Sequence, residues 1–343
     1  MQPSREDSLD VASLERWADL HLPGSGPLSA DRLSGGHSNA LYRLRRGPYE
    51  WILRRPPGHL NAAKAHDVVR EYRVLASLDR TDVRHPRPVA VCENHDVIGA
   101  PFFVVEPVDG VVYHTMPADV SYLVDQMVAS LISELALLHQ AGWKTIGLAD
   151  LGRPDHFTQR QVGRWYRQYH QYGGRDVPAL TELASRLESN VPREARVPCL
   201  LHGDYGFHNV MFSRNWPGQV AAVLDWEMST IGNPLADLGY LLAGWIEPGE
   251  LDDWGEFGFF SLPFGLPPRA LVADRYQAAT GLEFDEDELA WFRALGRFKI
   301  AVILEGAFTR HIHGYGDDPY FAELEERVPH LARHGLAILN GRA

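Results

Sequence analysis

Hydrophobic residues change their spacing along the first hundred positions. Residues 14–22 follow a helical period and stop at Pro23-Gly24, whereas apolar and polar residues alternate between Asp31 and Arg55. Alternation predicts strands, and Gly47-Pro48 suits the turn between two of them. The helical period returns from Lys64 to Leu78. This part of the chain is therefore predicted to form a small antiparallel sheet with a helix, the strands lying at 41–44, 49–53, 86–92 and 101–106.

Beyond position 110 the pattern is mostly helical. Apolar residues three and four apart predict a long helix over 117–142. The predicted fold class is α+β with two lobes: an N-terminal lobe of residues 1–108 with an antiparallel sheet, and a larger, mostly helical C-terminal lobe of residues 109–343. Further helices are predicted at 235–246, 268–280, 285–309 and 320–339.

Composition and charge narrow the class of protein. The 343 residues are 45% hydrophobic and carry a net charge of −12, which disfavours nucleic acid and anionic membrane surfaces as partners. No apolar run reaches the roughly 20 residues that span a bilayer. Cys92 and Cys199 lie in apolar runs and are expected to be reduced core residues. The sequence predicts a soluble, cytoplasmic protein.

Two apolar runs in the second lobe end in polar residues suited to phosphoryl transfer. Leu200-Leu201 leads into a loop with Asp204 and Asn209, and Val223-Leu224 ends at Asp225. Transfer from ATP needs a carboxylate for the proton of the acceptor hydroxyl, and oxygen ligands that hold Mg²⁺. Asp204 and Asn209 have the Asp-x-x-x-x-Asn spacing of a kinase catalytic loop. Asp204 is therefore the predicted catalytic base, and Asn209 and Asp225 are the predicted metal ligands.

The same stretch carries a family resemblance. His202-Gly203-Asp204, the tetrapeptide 224–227 (Leu-Asp-Trp-Glu) and segment 232–239 (Gly-Asn-Pro-Leu-Ala-Asp-Leu-Gly) resemble the aminoglycoside phosphotransferase/choline kinase family. The chain looks most like the kinase-like domains associated with acyl-CoA dehydrogenases. The resemblance runs from about Leu33 to about Leu242. It implies a protein-kinase-like fold, ATP and Mg²⁺ as cofactors, a small-molecule hydroxyl acceptor, and a supporting rather than catalytic role for Asp237.

Phosphate-binding groups are predicted in the N-terminal lobe. Gly35 and Gly36 would let backbone N–H groups approach phosphate oxygens, and Ser38 would add a side-chain donor. A paired glycine between strands can also be merely structural. Arg54 ends a strand where kinases place a nucleotide-binding lysine, and Arg55 is the competing assignment.

Two further elements complete the predicted nucleotide site. Glu71, on the helix after the strands, is the natural ion-pair partner of Arg54, although it could also be an exposed charge. The segment after the last strand corresponds to the connector between kinase lobes. Backbone groups of Glu106 and Val108 are therefore predicted to contact the adenine edge.

The region expected to bind the acceptor is open to more than one interpretation. Aromatic residues of 157–187, including Trp165, could line a pocket or pack between helices. The acidic and aromatic segment 247–265 could hold ammonium groups or be a solvated loop. Glu305 is a lone acid in an apolar helix and could face a cavity. The acceptor itself is not specified by these patterns.

The leading hypothesis is an ATP-dependent phosphotransferase. A nucleotide-binding pseudoenzyme is the alternative, because no lysine ends the third strand, but the complete set of Asp204, Asn209 and Asp225 argues against it. A metal-dependent phosphoesterase is a weaker alternative, since His202 and His208 add residue types found in two-metal hydrolytic sites.

Overall fold

The chain divides into two compact units. A computed structural model describes residues 9–33, 39–56, 62–114, 120–193, 197–245, 247, 266–314 and 320–342, with side chains in the second helix from Val68 onward. The first unit comprises residues 1–110 with two short returns of the chain, 146–148 and 221–227. The second comprises 111–145, 149–220 and 228–343.

The first unit is built on an antiparallel sheet. Five strands pair in the order β1-β2-β3-β5-β4. In chain order the elements are α1 (Val11–His21), β1 (Ser29–Leu33), β2 (Ala40–Arg46), β3 (Tyr49–Arg55), α2 (Ala62–Leu78), β4 (Pro88–Cys92) and β5 (Phe102–Val105).

The register of the β2–β3 hairpin determines that Arg54 and Arg55 face opposite sides of the sheet. Arg46 pairs with Tyr49, so the loop has two residues, and the first of them, Gly47, has a φ of +55°. Side chains alternate along β3, which buries Leu53 and Arg55 on the side of the apolar core. Arg54 therefore projects from the opposite side.

The rest of the chain is mostly helical, and the fold class is the predicted α+β. Its elements are β6 (Gly110–Val111), α3 (Val124–Gln140), α4 (Phe157–Gln171), α5 (Pro178–Ser189), β7 (Cys199–Leu201), β8 (Val210–Ser213), β9 (Val220–Val223), β10 (Thr230–Gly232), α6 (Leu235–Ala243), α7 (Arg269–Thr280), α8 (Glu286–Ile312) and α9 (Tyr320–Leu339).

Helix α8 is the centre of the second unit. Every residue from Trp291 to Val302 is buried, so this stretch is enclosed on all sides. Helices α4, α5, α6 and α9 pack around it. Its few charged residues therefore lie where solvent does not reach them, and Lys299 is one of these.

Several boundaries differ from the sequence prediction. The long helix predicted over 117–142 begins at Val124, after a 3-10 turn over 121–123. The aromatic region 157–187 forms two helices, interrupted at Gly173-Gly174, and the first of these glycines has a φ of +65°. The helix predicted over 235–246 ends at Ala243.

Helix α3 is mainly apolar, although it contains Asp125, Glu134 and His139. Among the described residues, one helical stretch, Ser121–Gln140, is long and apolar enough by length and composition to cross a membrane. Half of this stretch is buried inside the protein, as in the core helices of many globular proteins.

Candidate active site

The predicted catalytic loop is held by a carboxylate beneath it. Strand β7 ends at Leu201, and the next two backbone N–H groups, of His202 and Gly203, donate to the two oxygens of Asp237 at 2.7 and 2.8 Å. Asp237 lies in the first turn of α6 and is also 3.3 Å from Nε2 of His139. Burial alone would raise the pKa of Asp237, but the hydrogen bonds and charge of His139 and His202 hold it below its usual value.

Asp204, which follows at the surface of this loop, is surrounded by hydrogen-bond donors. Its carboxylate accepts from Nδ2 of Asn209 at 3.0 Å and lies 3.5 Å from Nε2 of His208. The nearby hydroxyl of Tyr240 also acts to lower the pKa of this carboxyl group. Its side chain is 26% exposed, so an acceptor alcohol could reach it.

These surroundings keep Asp204 ionised. Burial acts to raise the pKa of its carboxyl group, but the hydrogen bond from His208 and the charge of Lys299 outweigh burial and place the pKa well below the usual range. Lys299 reaches the loop from α8, where its ammonium group donates to the carbonyl of Gly203 and stands 4.3 Å from the centre of the Tyr240 ring. The loop thus presents a carboxylate that is ionised at neutral pH.

Asn209 has the geometry that a metal ligand requires. Its Nδ2 group donates both to the backbone carbonyl of Asp204 at 2.9 Å and to the carboxylate of Asp204. These two bonds use the amide hydrogens and fix the side chain so that Oδ1 is the group left to coordinate. An amide oxygen is a ligand that Mg²⁺ accepts.

In the first unit, Arg54 lies among three carboxylates. Its Nε is 3.0 Å from Glu71, one terminal nitrogen contacts Asp225 directly, and the same nitrogen is 3.4 Å from Glu227. The predicted Arg54–Glu71 ion pair is therefore present. Glu71 also accepts the backbone N–H of Trp226 at 3.2 Å, which ties α2 to the segment that carries Asp225.

Burial and neighbouring charges shift the pKa values in this cluster. Three carboxylates around one guanidinium leave an excess of negative charge. Burial raises the pKa of Glu71 to about 8, Arg54 opposes that rise, and the negative charges of Asp225 and Glu227 add to it. The carboxylates in turn raise the pKa of Arg54 above its ordinary value, against the effect of burial. Asp225 has a φ of +62°, an uncommon conformation for a residue other than glycine and one often found at functional sites.

Arg55, the competing assignment for the strand cation, faces the apolar core. Its terminal nitrogen donates to the carbonyl of Ile98 at 3.1 Å, and its guanidinium stands 5.7 Å from the centre of the Tyr42 ring. The alternation of β3 thus directs Arg54, rather than Arg55, towards the acidic cluster.

Of the remaining residues predicted to contact the nucleotide, the structure describes Glu106 and Val108. Glu106 is exposed after β5, and its N–H donates to the carbonyl of Arg87 at 2.9 Å, so its own carbonyl is the group it could offer to adenine. Val108 is half-buried two residues later. Gly35, Gly36 and Ser38 lie outside the described residues, as does 248–265, most of the predicted acidic segment.

Other residues that the sequence singled out have definite positions in the structure. Trp165 is buried and also lines a cavity beside Gly203, so it packs and faces a pocket at once. Glu305 is fully buried and pairs with Arg175 at 3.2 Å. Within the part of the chain that the structure describes, no group of three or more His, Cys, Asp or Glu residues could hold a metal, and Cys92 and Cys199 are free and buried.

Sequence patterns did not single out Lys299, Tyr240 or Glu227. Lys299 had one available signal, because it is a lone charge in the apolar run Phe298-Lys299-Ile300-Ala301 and therefore needs a partner. Glu227 lies two residues after Asp225, and its carboxylate accepts from Nδ2 of Asn39 at 3.1 Å. Neither the lone charge of Lys299 nor the position of Glu227 identifies the residue that each side chain contacts.

Comparison with known proteins agrees with this geometry. Acyl-CoA dehydrogenase family member 11 of Gallus gallus is 33% identical over 343 residues, which cover 97% of this chain and 44% of that protein. The chain thus spans less than half the length of the curated relatives it matches. A crystal structure from Ralstonia eutropha, provisionally described as an aminoglycoside phosphotransferase, is 30% identical, with a TM-score of 0.81 and coverage of 97% of this chain and 99% of that one.

More distant structures share the fold alone. An APH(2″) enzyme in complex with GDP and kanamycin is 17% identical, with a TM-score of 0.64 over 94% of this chain and 98% of that one. The sequence profile of the phosphotransferase enzyme family matches residues 29–292. The chain therefore belongs to the phosphotransferase enzyme family.

Proposed function

We propose that this protein is an ATP-dependent phosphotransferase that transfers the γ-phosphate to a hydroxyl group of a small molecule. The observation that carries the proposal is the environment of Asp204, whose carboxylate is ionised, partly exposed and fixed by Asn209. Such a group can orient an alcohol and accept its proton as the bond to phosphorus forms. A weakly basic carboxylate suffices because the transition state of phosphoryl transfer is loose.

The second part of the proposal concerns the nucleotide. Arg54, oriented by Glu71, would contact the α/β-phosphates, with Gly35, Gly36 and Ser38 as further phosphate contacts and Glu106 and Val108 at the adenine edge. In this division of labour residues 1–108 bind the nucleotide, and residues 109–343 supply the catalytic loop and bind the acceptor. Relatives of this fold crystallised with GDP or AMP-PNP support the use of a nucleotide.

The proposed ligands of Mg²⁺ are Asn209 and Asp225. Bound there, the ion would neutralise charge on the triphosphate. The chain's own residues do the remainder: Asn209 fixes the carboxylate of Asp204, and Asp237 fixes the loop beneath it. Catalysis would then depend mainly on positioning and on charge stabilisation. A cytoplasmic location is proposed as well, since both cysteines are free.

Calorimetry and a coupled ATP-consumption assay test this function together. The protein should take up Mg-ATP and consume ATP with at least one class of alcohol. Asp204→Ala should lower kcat by about 10²–10⁴-fold while the affinity for Mg-ATP stays the same. Glu182→Ala, which removes an exposed carboxylate on α5, is the matched control. Absence of Mg-ATP uptake would overturn the proposal, and uptake without turnover across acceptor classes would favour the pseudoenzyme.

A further inference from the structure

A small cavity lies directly beside the catalytic loop in the second unit. Gly203, which precedes the proposed base, and Tyr240 form part of the wall. The cavity measures about 50 Å³, enough for a few water molecules or one small polar group. It could therefore receive one end of an acceptor, but not a whole sugar.

Two cations line this cavity. Arg164 reaches it from α4 and Lys299 from α8. They flank the same indole ring, since the guanidinium carbon of Arg164 is 5.5 Å and the ammonium nitrogen of Lys299 is 5.3 Å from the ring centre of Trp165. Burial lowers the pKa of Arg164. Burial also lowers the pKa of Lys299, although the charges of Asp204 and Asp237 act to raise it, and the charge of Arg164 lowers the pKa of Lys299 further.

The hydrogen-bond donors that the cavity wall can offer to a ligand belong mainly to the charged side chains of Arg164 and Lys299. Among the described residues, neither Arg164 nor Lys299 has a carboxylate oxygen within the 4.0 Å of an ion pair. Lys299 uses one of its three N–H bonds on the carbonyl of Gly203, and Arg164 has five N–H donors.

The two carboxylates nearby are already occupied. Both oxygens of Asp237 accept backbone N–H groups, and the carboxylate of Asp204 accepts from Asn209 and lies 3.5 Å from Nε2 of His208. They therefore offer little to a positively charged ligand inside the cavity, whereas Arg164 and Lys299 together offer strong donors to an anion.

We propose that Arg164 and Lys299 bind an anionic group, a carboxylate or a phosphate monoester, carried by the alcohol that this enzyme phosphorylates. The inference rests on the proposed function, because it assigns a substrate class to the acceptor side of that site. A polycationic aminoglycoside would bring ammonium groups against these two cations. An acceptor with a negatively charged end would place its hydroxyl near Asp204 while the charged end fills the cavity.

A set of matched alcohols tests the charge preference. Alcohols of equal chain length that end in a carboxylate, a phosphate monoester, a neutral primary amide or an ammonium group are compared in the ATP-consumption assay. The anionic members are expected to exceed the amide by roughly tenfold or more in kcat/KM, because a charge-assisted hydrogen bond is at stake. A comparison of kcat/KM between the carboxylate-ended and the phosphate-ended alcohol identifies which anion is preferred.

Variants of α4 test the residue assignment. Arg164→Gln should raise KM for the anionic alcohols roughly tenfold or more and leave KM for ATP unchanged, and Arg164→Glu should shift the preference towards the ammonium-ended alcohol. Arg167→Gln, an exposed arginine one turn further along α4 and outside the cavity wall, is the matched control and should behave like the wild type.

A binding measurement separates this inference from the proposed function. The same alcohols are titrated calorimetrically into nucleotide-free protein, wild type and Arg164→Gln. Binding of the anionic members that depends on Arg164 supports the cation pair even if Mg-ATP uptake fails. Equal treatment of all end groups in turnover, or binding that is absent or unaffected by Arg164→Gln, overturns the cation pair while leaving the phosphotransferase proposal intact.

Discussion

At the scale of single residues, Arg54 does something that a lysine at this position could not. Its planar fork contacts Glu71 through Nε and both Asp225 and Glu227 through one terminal nitrogen, whereas an ammonium group is a single point of charge. One side chain thus joins helix α2 to the segment that carries a proposed metal ligand. No lysine ends the third strand, which suggested a pseudoenzyme. Arg54 supplies a cation at that position instead.

Replacing Arg54 tests that role. Arg54→Gln should weaken Mg-ATP binding roughly ten- to a hundredfold, because a charged contact to phosphate is lost and the carboxylates lose their counter-charge. Isothermal titration well below the melting temperature measures the affinity.

Arg55→Gln is the matched comparison for this experiment. It also removes a buried arginine and should lower stability, yet it should leave the affinity for Mg-ATP unchanged, since Arg55 contacts Ile98 and Tyr42. If both substitutions weakened nucleotide binding equally, the assignment of Arg54 would be wrong.

Gly203 is a second residue whose identity the loop requires. Its φ is +86°, and a Cβ there would lie closer than 3.0 Å to the carbonyl oxygen of Met228. Gly203→Ala should therefore cost more than the roughly 1–2 kcal/mol of the left-handed conformation alone. Chemical denaturation measures the loss. Gly173→Ala is the control, because Gly173 has a φ of +65° with nothing within 4 Å, and an equal loss in both variants would exclude the steric effect.

At the scale of elements, helix α6 positions the catalytic loop through Asp237. This carboxylate accepts two consecutive backbone N–H groups after β7 and a ring nitrogen from α3. Three separate elements thus depend on one buried charge. These contacts are those of a supporting residue, which is the role that the family resemblance implies for Asp237.

The stability contributed by Asp237 should depend on pH. Its pKa is lowered on folding, so the contribution is fully present above the unfolded value of about 3.8 and is lost as pH falls through the lowered folded value. Asp237→Asn should destabilise the protein by about 2–3 kcal/mol at neutral pH, because one buried donor loses its charged acceptor.

Urea unfolding of the wild type and Asp237→Asn between pH 7 and pH 2 measures this dependence. The difference between the two proteins should stay constant down to about pH 4 and shrink below it, where the carboxyl group of Asp237 becomes protonated. Asp274→Asn, at an exposed position on α7, should show little difference at any pH. A constant difference between wild type and Asp237→Asn over the whole range would mean that the charge contributes nothing.

Short sequence patterns predicted those features of the structure that depend on residues close together in the chain. The Gly47-Pro48 turn, the alternation of β3 and the spacing of Asp204 and Asn209 are all encoded within a few residues. Lys299 is different, since it contacts Gly203 from 96 positions away, and that contact exists only because α8 is enclosed by its neighbours. The cation pair with Arg164 likewise depends on the packing of two helices, which no short sequence pattern specifies.

At the scale of the whole molecule, the distribution of charge matters more than its total. The chain carries a net charge of −12, and its first unit concentrates three carboxylates around Arg54. The cavity beside the catalytic loop is nevertheless lined by two cations. An overall acidic protein can therefore contain both an acidic cluster and a cavity lined by cations, because short-range contacts outweigh the screened total charge.

The last prediction concerns the effect of Mg-ATP on hydrogen exchange. The proposed ligand contacts are Arg54 and Asp225, together with Asn209. A ligand that binds the native state stabilises it by about 2.7 kcal/mol at a concentration 100 times its Kd. Hydrogen exchange should therefore slow in β3 and also in the loop 204–209 when Mg-ATP is added. Asp225→Asn should reduce protection in both places at the same nucleotide concentration. Protection confined to β3 would contradict the assignment of Asn209 as a ligand of the metal.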